Sequence, residues 1–222
     1  MKLLEAILNL LFPPKCPFCM NVLDKAGICA ACDKDLPWTS EGDAVKTGSG
    51  GLRCAAPLWY EKQVRDGLLH FKFQGGSAAA EPLGEVLARC AAEQFGGEFD
   101  TVTWVPVSRK RLKKRGYDQS ELLAYAACRC WDTKPVRLLN KTVDNAVQSE
   151  IHDAAARRAN VLGVYEAVNP EQIRGKRILL IDDICTTGAT LAECIRVLKD
   201  AGAEDVMCAA VAHTRERKKA KE

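Results

Sequence analysis

The sequence has little net charge and no long apolar run. Its 222 residues carry a formal net charge of +3, which by itself is too small to indicate a nucleic-acid partner. The apolar stretch at residues 3–12 contains Glu5 and Asn9, has no small-residue cleavage site and is shorter than the about 20 apolar residues that cross a bilayer. No transmembrane segment is therefore expected. We interpret the stretch as a short amphipathic helix that docks on the protein, with membrane association as the lesser alternative, because one helical face carries Leu3, Leu4, Ile7, Leu8 and Leu11.

Histidine is also scarce, and no internal repeat is present. The three histidines do not have the spacing of a metal site, so we expect each of them to be incidental: His70, His152 and His213. The four tryptophans stand in apolar contexts and are expected in the core: Trp38, Trp59, Trp104 and Trp131.

Cysteine, in contrast, is abundant. Of the eleven cysteines, seven are scattered singly in apolar contexts, as at Cys90 and Cys208. This pattern is typical of reduced thiols in a core rather than of a disulfide framework. We therefore expect a reducing, cytoplasmic compartment.

The other four cysteines form two Cys-x-x-Cys pairs near the N-terminus. Cys16 and Cys19 are followed by Cys29 and Cys32, and the loop between the pairs contains Gly27. Four thiolates at this spacing can meet around one tetrahedral Zn(II), and a site closed by four protein ligands is structural rather than catalytic. The sequence thus predicts a structural zinc site, against the alternative of four unligated thiols.

Composition divides the chain into four parts. Residues 1–40 hold the N-terminal helix and the zinc module, and the Gly-rich residues 41–52 are interpreted as a linker. A second domain is expected over residues 53–214. The basic tail at residues 215–222 is interpreted as a solvated surface.

Strand and helix patterns alternate within the second domain. Strands are predicted at residues 55–60, 101–107, 136–139, 177–181 and 206–212, and helices at residues 64–73, 78–95, 120–130 and 188–201. This alternation predicts an α/β fold with a mostly parallel sheet flanked by helices. In such folds ligands bind beyond the carboxyl ends of the strands.

A candidate anion site follows one of these strands. The apolar run at residues 178–181 ends in Asp182 and Asp183, and two carboxylates there are costly unless they meet a ligand, a cation or hydrogen-bond donors. Free N–H groups at the start of the next helix favour a phosphate, and the segment that opens this helix is Thr186, Thr187, Gly188, Ala189 and Thr190. Helix capping by a threonine and an aspartate is the alternative.

Residues 178–190 resemble the thirteen-residue signature of type I phosphoribosyltransferases, which bind phosphoribosyl pyrophosphate. Over nearly the whole chain, the sequence is similar to the competence protein F (ComF) family, in which a four-cysteine module precedes such a domain. Asp118 stands where that family pattern has asparagine. The wider similarity rests on residues 69–73, 105–108, 111–119, 148 and 157–160. The resemblance implies a type I phosphoribosyltransferase-like fold, with Asp182 and Asp183 on the ribose and residues 186–190 on its phosphate.

The resemblance also implies a pyrophosphate loop, served by Mg(II), at Val107, Ser108, Arg109, Lys110 and Arg111. Contact with a nucleic-acid backbone is the competing interpretation, since it would use the same cations. The two are compatible if Lys113, Lys114 and Arg115 serve DNA while residues 109–111 face the pocket. A loop that closes over the site is implied at Gln148, Arg157 and Arg158. Its alternative is a helix that presents two solvated arginines.

Two functions are compatible with these features. The first is transfer of a phosphoribosyl group from phosphoribosyl pyrophosphate to an unknown acceptor during DNA uptake, with Asp182, Asp183 and Arg109 as catalytic residues. The second is a non-catalytic single-stranded DNA-binding or assembly factor that works beside a helicase-like competence protein and uses the site as a ligand sensor. Charge supports DNA binding, whereas the tryptophans, expected in the core, do not supply a stacking surface.

Overall fold

The computed structural model describes residues 13–73, 76–144 and 162–215. The helices in these ranges are α1 (Ala30–Asp35), α2 (Lys62–Phe73), α3 (Ala80–Phe95), α4 (Arg109–Arg115), α5 (Gln119–Cys130) and α6 (Ala189–Asp200). The strands are β1 (Val45–Gly48), β2 (Leu52–Ala55), β3 (Leu58–Trp59), β4 (Thr101–Trp104), β5 (Leu139–Lys141), β6 (Tyr165–Ala167), β7 (Arg177–Cys185) and β8 (Asp205–His213).

The main sheet has the order β1-β2-β8-β7-β4, and β3 also pairs with β8. All of these pairings are parallel except the antiparallel pairing of β1 with β2. β5 and β6 form a separate two-stranded antiparallel sheet. The predicted α/β class with a mostly parallel sheet is confirmed.

Two apolar clusters cover the two faces of this sheet. In β7, Leu179 and Ile181 pack in the cluster that contains residues of α2, α3 and α5, while Ile178 and Leu180 pack in the cluster that contains residues of α6, β5 and β6. Alternate side chains of one strand are therefore buried on opposite faces, as expected for a central parallel strand.

β7 extends further than its sequence pattern predicts. The prediction ended the strand at Ile181, but the pairing with β8 continues through Asp182 to Cys185, which lies opposite His213. The two aspartates are thus part of the strand rather than of the loop after it. An apolar pattern places the end too early because polar groups from other elements satisfy these carboxylates.

The predicted linker at residues 41–52 contains a strand of the sheet. β1 pairs with β2 through a tight turn in which Gly50 and Gly51 have φ values of 72° and 74°. Left-handed backbone of this kind favours glycine, so the Gly-rich composition reflects a hairpin turn. The predicted strand at residues 55–60 is split into β2 and β3 by Pro57, which has no N–H group for a ladder.

The N-terminal module packs directly on α2. Phe18 is buried in the same apolar cluster as Leu68 and Phe71. A Cβ atom added at Gly67 would lie 2.6 Å from the carbonyl oxygen of Pro17, so the backbone of the module approaches the helix closely. Within the described ranges, we find no helix with the length and apolarity required to span a membrane.

Candidate functional site

The four N-terminal cysteines converge on one point. The sulfur atoms of Cys16, Cys19, Cys29 and Cys32 all lie within 4.8 Å of one another, and Cys19 Sγ and Cys29 Sγ are 3.6 Å apart. A tetrahedral Zn(II) with Zn–S bonds of about 2.3 Å places its sulfurs about 3.8 Å apart. The geometry fits a closed four-thiolate zinc site, and no other metal-competent group of His, Cys, Asp or Glu occurs among the residues that the structure describes.

Hydrogen bonds to the local backbone hold these cysteines in place, and the pKa values of their thiols differ, since burial raises the pKa of Cys32 whereas that of Cys16 is lowered. The Cys16 carbonyl accepts the Met20 N–H at 3.0 Å, and the Cys32 N–H donates to Cys29 Sγ at 3.4 Å at the start of α1. Burial alone would raise the pKa of Cys16, but backbone N–H donors outweigh it and bring the pKa to about 7. Gln63 on α2 donates to Cys32 Sγ at 3.0 Å, which links the cluster to the larger domain.

The adjacent aspartates of β7 meet different partners. Asp182 Oδ1 accepts the Ser120 hydroxyl at 2.9 Å and the Asp183 N–H at 2.9 Å. Asp183 Oδ2 lies 2.7 Å from Lys72 Nζ at the end of α2. Burial, followed by the charge of Asp183, raises the pKa of Asp182 to about 7. The two carboxylates therefore differ in charge environment.

The segment after β7 forms a concave surface at the start of α6. Its lining runs from Asp182 through Thr186 and Thr187 to Leu191. Gly188 has a φ of 75°, and a Cβ atom there would lie 2.3 Å from Leu52 Cδ2. First-turn N–H groups of a helix lack intrahelical acceptors, so this surface can accept an anion such as a phosphate.

The β1–β2 hairpin supports this loop from behind. Lys46 on β1 donates to the Thr214 carbonyl at 3.0 Å and to the Thr214 hydroxyl at 3.2 Å. The Thr214 hydroxyl in turn donates to the Thr186 carbonyl at 3.0 Å. A residue of the predicted linker thus contributes to the position of the segment that opens α6.

The loop after β4 lies beside the aspartates at the same edge of the sheet. The Val105 N–H donates to the Ile181 carbonyl at 2.9 Å, and the Val107 N–H donates to Asp118 Oδ2 at 2.9 Å. Asp118 also caps α5, accepting the N–H groups of Ser120 and Glu121 at 3.1 and 3.3 Å. Both of its oxygens serve as acceptors, so the carboxylate in place of the family's asparagine needs no donor here.

The predicted pyrophosphate residues do not share one environment. Ser108 is buried, accepts the Arg111 N–H at 3.3 Å as the cap of α4 and donates its hydroxyl to Asp144. Arg109 and Lys110 are exposed, whereas Arg111 is partly buried, with Nε 3.7 Å from Asp144 Oδ1.

α4 is a helix that its charged sequence did not predict, and its cations lie on two different helical faces. Arg111 and Arg115 are four residues apart and lie on the inner face. Arg115 lies over the Phe73 ring at 4.6 Å and donates to Gln119 at 2.8 Å, and burial lowers its pKa. The cations of α4 are therefore not divided along the sequence into residues 109–111 and 113–115. They form a partly buried pair, Arg111 and Arg115, and an exposed set: Arg109, Lys110, Lys113 and Lys114.

Four polar residues of this region were not predicted as site residues: Lys72, Ser120, Lys141 and Asp144. Lys141 on β5 lies over the Tyr165 ring at 5.2 Å, and burial, followed by the charge of Arg111, lowers its pKa to about 8. Each comes from an element remote in sequence from β7. The sequence signals were a polar residue in an apolar context and, for Lys72, its place in residues 69–73, which carry part of the family resemblance. Residues Gln148, Arg157 and Arg158, predicted as a closing loop, lie outside the described residues.

Parallel β4, β7 and β8, with an acid pair and a small-residue loop at one edge, define the fold of type I phosphoribosyltransferases, here preceded by a four-cysteine module. A family model described as a phosphoribosyl transferase domain matches residues 120–222, and one described as a double zinc ribbon domain matches residues 7–44.

Whole-chain relatives give the family. The chain is 30% identical to competence protein ComFC of Streptococcus pneumoniae, over 86% of this chain and 77% of the relative. It is 24% identical to competence protein F of Haemophilus influenzae, over 86% of each chain. DNA utilization protein YhgH of Escherichia coli O157:H7 is 31% identical over 48% of this chain and 46% of its own length. The chain belongs to the competence protein F (ComF) family.

Proposed function

We propose that the chain binds phosphoribosyl pyrophosphate at the carboxyl edge of its sheet, transfers the phosphoribosyl group to an acceptor yet to be identified, and acts in DNA uptake. The observation that carries this proposal is that Asp182, next to Asp183 on β7, lines the same concave surface as the start of α6. The acid pair suits the vicinal hydroxyls of a ribose, and residues 186–190 suit its 5-phosphate.

In the proposed reaction, the bond between C1 and the pyrophosphate oxygen breaks, and the acceptor forms a bond to C1 and loses its proton. Positive charge develops on the ribose ring, and the carboxylates of Asp182 and Asp183 favour it. We assign the leaving pyrophosphate to Val107, Ser108, Arg109, Lys110 and Arg111. Mg(II) bound by pyrophosphate oxygens would stabilise the charge of that leaving group.

The role in DNA uptake is supported by the names of the relatives, which are competence proteins and a DNA utilization protein. A cytoplasmic location is supported by the eleven cysteines, all of which lie in the described ranges and are free. Reduced thiols of this number persist in a reducing compartment.

The proposal is tested by titrating the protein with phosphoribosyl pyrophosphate and Mg(II), then measuring pyrophosphate release with and without candidate acceptors. We expect saturable binding that the double variant Asp182→Asn/Asp183→Asn weakens by at least about tenfold. Asp200→Asn is the matched control, because Asp200 is an exposed aspartate on α6. Binding that survives the double variant unchanged would remove the aspartates from the site, and binding without turnover for any acceptor would leave the sensor role.

A second candidate function is binding of single-stranded DNA without catalysis, at the outer face of α4. That face presents Arg109, Lys110, Lys113 and Lys114, and the exposed ring of Phe73 lies beside α4 under Arg115. Cations for phosphates and a ring for base stacking are the two requirements of such binding.

Salt-dependent affinity for a single-stranded oligonucleotide tests this second candidate. Replacing Lys113 and Lys114 with Met should reduce the slope of log affinity against log salt by about 1–2. Lys25→Met is the control, since Lys25 is an exposed lysine of the N-terminal module. An unchanged slope would exclude this face of α4 as the binding surface.

A further inference from the structure

The ion pair between Lys72 and Asp183 brings a cation into the acid pair from a remote helix. Lys72 Nζ lies 2.7 Å from Asp183 Oδ2, and the two side chains are only 22% and 9% exposed. Charges that are largely removed from water interact more strongly and are screened less by salt than a surface pair. The charge of Lys72 therefore contributes to the electrostatic potential at the two aspartates.

The end of α2 that carries Lys72 is held in place on its other side. The Tyr117 hydroxyl donates to the Phe71 carbonyl, and the Gln119 side-chain amide donates to the Lys72 carbonyl at 3.5 Å. Gln119 also accepts a hydrogen bond from Arg115 at 2.8 Å. These contacts tie the backbone at Lys72 to the segment that leads into α5, so the ammonium group is placed by the fold.

The carboxylate oxygens are divided between protein partners and open positions. Asp182 Oδ1 is taken by Ser120 and by the Asp183 N–H, and Asp183 Oδ2 is taken by Lys72. Within the described residues, Asp182 Oδ2 and Asp183 Oδ1 have no hydrogen bond. Each of these two open oxygens can accept a hydrogen bond from a ligand hydroxyl.

These residues do not form a ready site for a divalent cation. Mg(II) needs octahedral oxygen ligands at about 2.0–2.1 Å, and at Asp183 it would have to share the carboxylate with an ammonium group. No group of three metal ligands includes either aspartate among the residues that the structure describes. The cation next to Asp183 is thus supplied by the protein, as the ammonium group of Lys72.

We propose that Lys72 takes the place of a divalent cation at Asp183, so that the site binds the sugar phosphate part of its ligand without Mg(II). The inference rests on the proposed function, because it assigns the acid pair to a ribose. It limits Mg(II) to the pyrophosphate part of the ligand, whose oxygens can bind the ion themselves.

Ribose 5-phosphate, which has no pyrophosphate, is the probe that separates the two parts. Calorimetric titration of the full chain with ribose 5-phosphate, in Mg(II) and in EDTA, should give dissociation constants within about twofold of each other. Lys72→Met should bind more weakly in EDTA and recover about tenfold in affinity on addition of Mg(II), because Asp183 then lacks a cation. Lys72→Arg, which keeps the charge, and Lys62→Met, at the exposed start of the same helix, should both behave as the unsubstituted chain.

The outcomes distinguish the inference from the proposed function. If the unsubstituted chain binds ribose 5-phosphate only in Mg(II), or if Lys72→Met stays independent of Mg(II), the role of Lys72 is overturned while the phosphoribosyl site stands. If neither ribose 5-phosphate nor phosphoribosyl pyrophosphate binds under any condition, the proposed function fails and the inference fails with it. Should Lys72→Met not fold, the unsubstituted chain and Lys72→Arg still decide the question.

Discussion

At the scale of single residues, Asp182 and Asp183 show how one strand gives identical side chains different chemistry. Asp183 has an ion pair with Lys72, whereas Asp182 has a hydroxyl and a backbone N–H as partners. A compensating charge lowers the cost of burying one carboxylate, and a second carboxylate beside it then holds its proton more easily. The two carboxylates thus differ in their partners, and it is Asp182 whose pKa is raised.

Asp182 should make stability depend on pH. Its pKa is raised from 3.8 to about 7, so its contribution to folding is fully present below the unfolded pKa and is lost as pH rises toward 7. Asp182→Asn cannot ionise and should gain, relative to the unsubstituted chain, on the order of 2 kcal/mol in the free energy of unfolding between about pH 5 and about pH 8. Urea unfolding at the two pH values measures this difference.

The control for this prediction is Asp200→Asn, a change of an exposed aspartate on α6 that should follow the unsubstituted chain at both pH values. A difference between Asp182→Asn and the unsubstituted chain that stays constant with pH would contradict the raised pKa.

Gly188 should be the least replaceable residue of the segment that opens α6, residues 186–190. Its φ is 75°, and a Cβ atom would lie 2.3 Å from Leu52 Cδ2. We expect Gly188→Ala to lower the free energy of unfolding by about 2–3 kcal/mol and to abolish binding of ribose 5-phosphate, because strain and overlap add. Thermal unfolding and calorimetric titration are the measurements.

Gly175→Ala separates these two effects, since Gly175 has a φ of 68° and no atom within 4 Å of an added Cβ. It should cost only about 1 kcal/mol. Adding Leu52→Ala to Gly188→Ala should restore part of the loss. Equal stability of Gly188→Ala and Gly175→Ala would show that the Leu52 side chain moves away from the added methyl group without a cost in stability.

At the scale of elements, the helices with a clear apolar period could be predicted and the charged one could not. Predicted helices at residues 78–95, 120–130 and 188–201 differ from α3, α5 and α6 by at most two residues at either end. α4 has one apolar residue in seven, and its limits are fixed by the Ser108 cap and by Gly116 in the left-handed region.

The candidate site has a sequence signal where its residues are adjacent in the chain and none where it depends on packing. Residues 182–190 are one continuous segment, so their signal survives in the sequence. Lys72 and Ser120 reach the same carboxylates from α2 and α5, and no local pattern records such a contact. The same holds for Lys46, because its contact with Thr214 depends on β1, a strand within the segment that was predicted to be a linker.

The zinc module is an element whose fold should depend on its metal. Four thiols within 4.8 Å of one another repel as thiolates unless a cation joins them. We expect protein prepared under reducing conditions to hold about one zinc per chain, and Cys32→Ser to lose the metal and about 3 kcal/mol or more of stability. Metal analysis and chemical unfolding check both.

Cys130→Ser is the matched control, since Cys130 is an exposed cysteine outside the cluster, and it should retain zinc and stability. A full zinc content in Cys32→Ser would show that this cysteine is not a ligand.

At the scale of the whole molecule, α2 connects the zinc module to the pair of aspartates, Asp182 and Asp183. Gly67 contacts Pro17 and Phe18 of the module, and Lys72, five residues further along, pairs with Asp183. Five residues of a helix span about 7.5 Å, which is short enough for a displacement at one end to move the other. The position of the module should therefore influence the acid pair.

Gly67→Ala tests this connection, because its local and long-range effects have opposite signs. Alanine in a helix interior is favoured over glycine by about 1 kcal/mol, so an isolated helix would gain stability. Here the added Cβ would lie 2.6 Å from the Pro17 carbonyl oxygen and 2.9 Å from the Phe18 ring. We expect a net loss of about 1–3 kcal/mol in stability and weaker binding of ribose 5-phosphate, with zinc content unchanged.

Arg65→Ala provides the comparison, since Arg65 is an exposed residue of the same helix and, among the described residues, its side chain has no hydrogen bond or ion pair with the module or with the aspartates. It should leave the affinity unchanged. If Gly67→Ala is more stable and keeps full affinity, the module moves to accommodate the methyl group. In that case a displacement of the module does not change the aspartates through α2. Weaker binding with zinc still in place would instead trace the loss to the helix, because neither the metal site nor the residues at the carboxyl edge of the sheet have been altered.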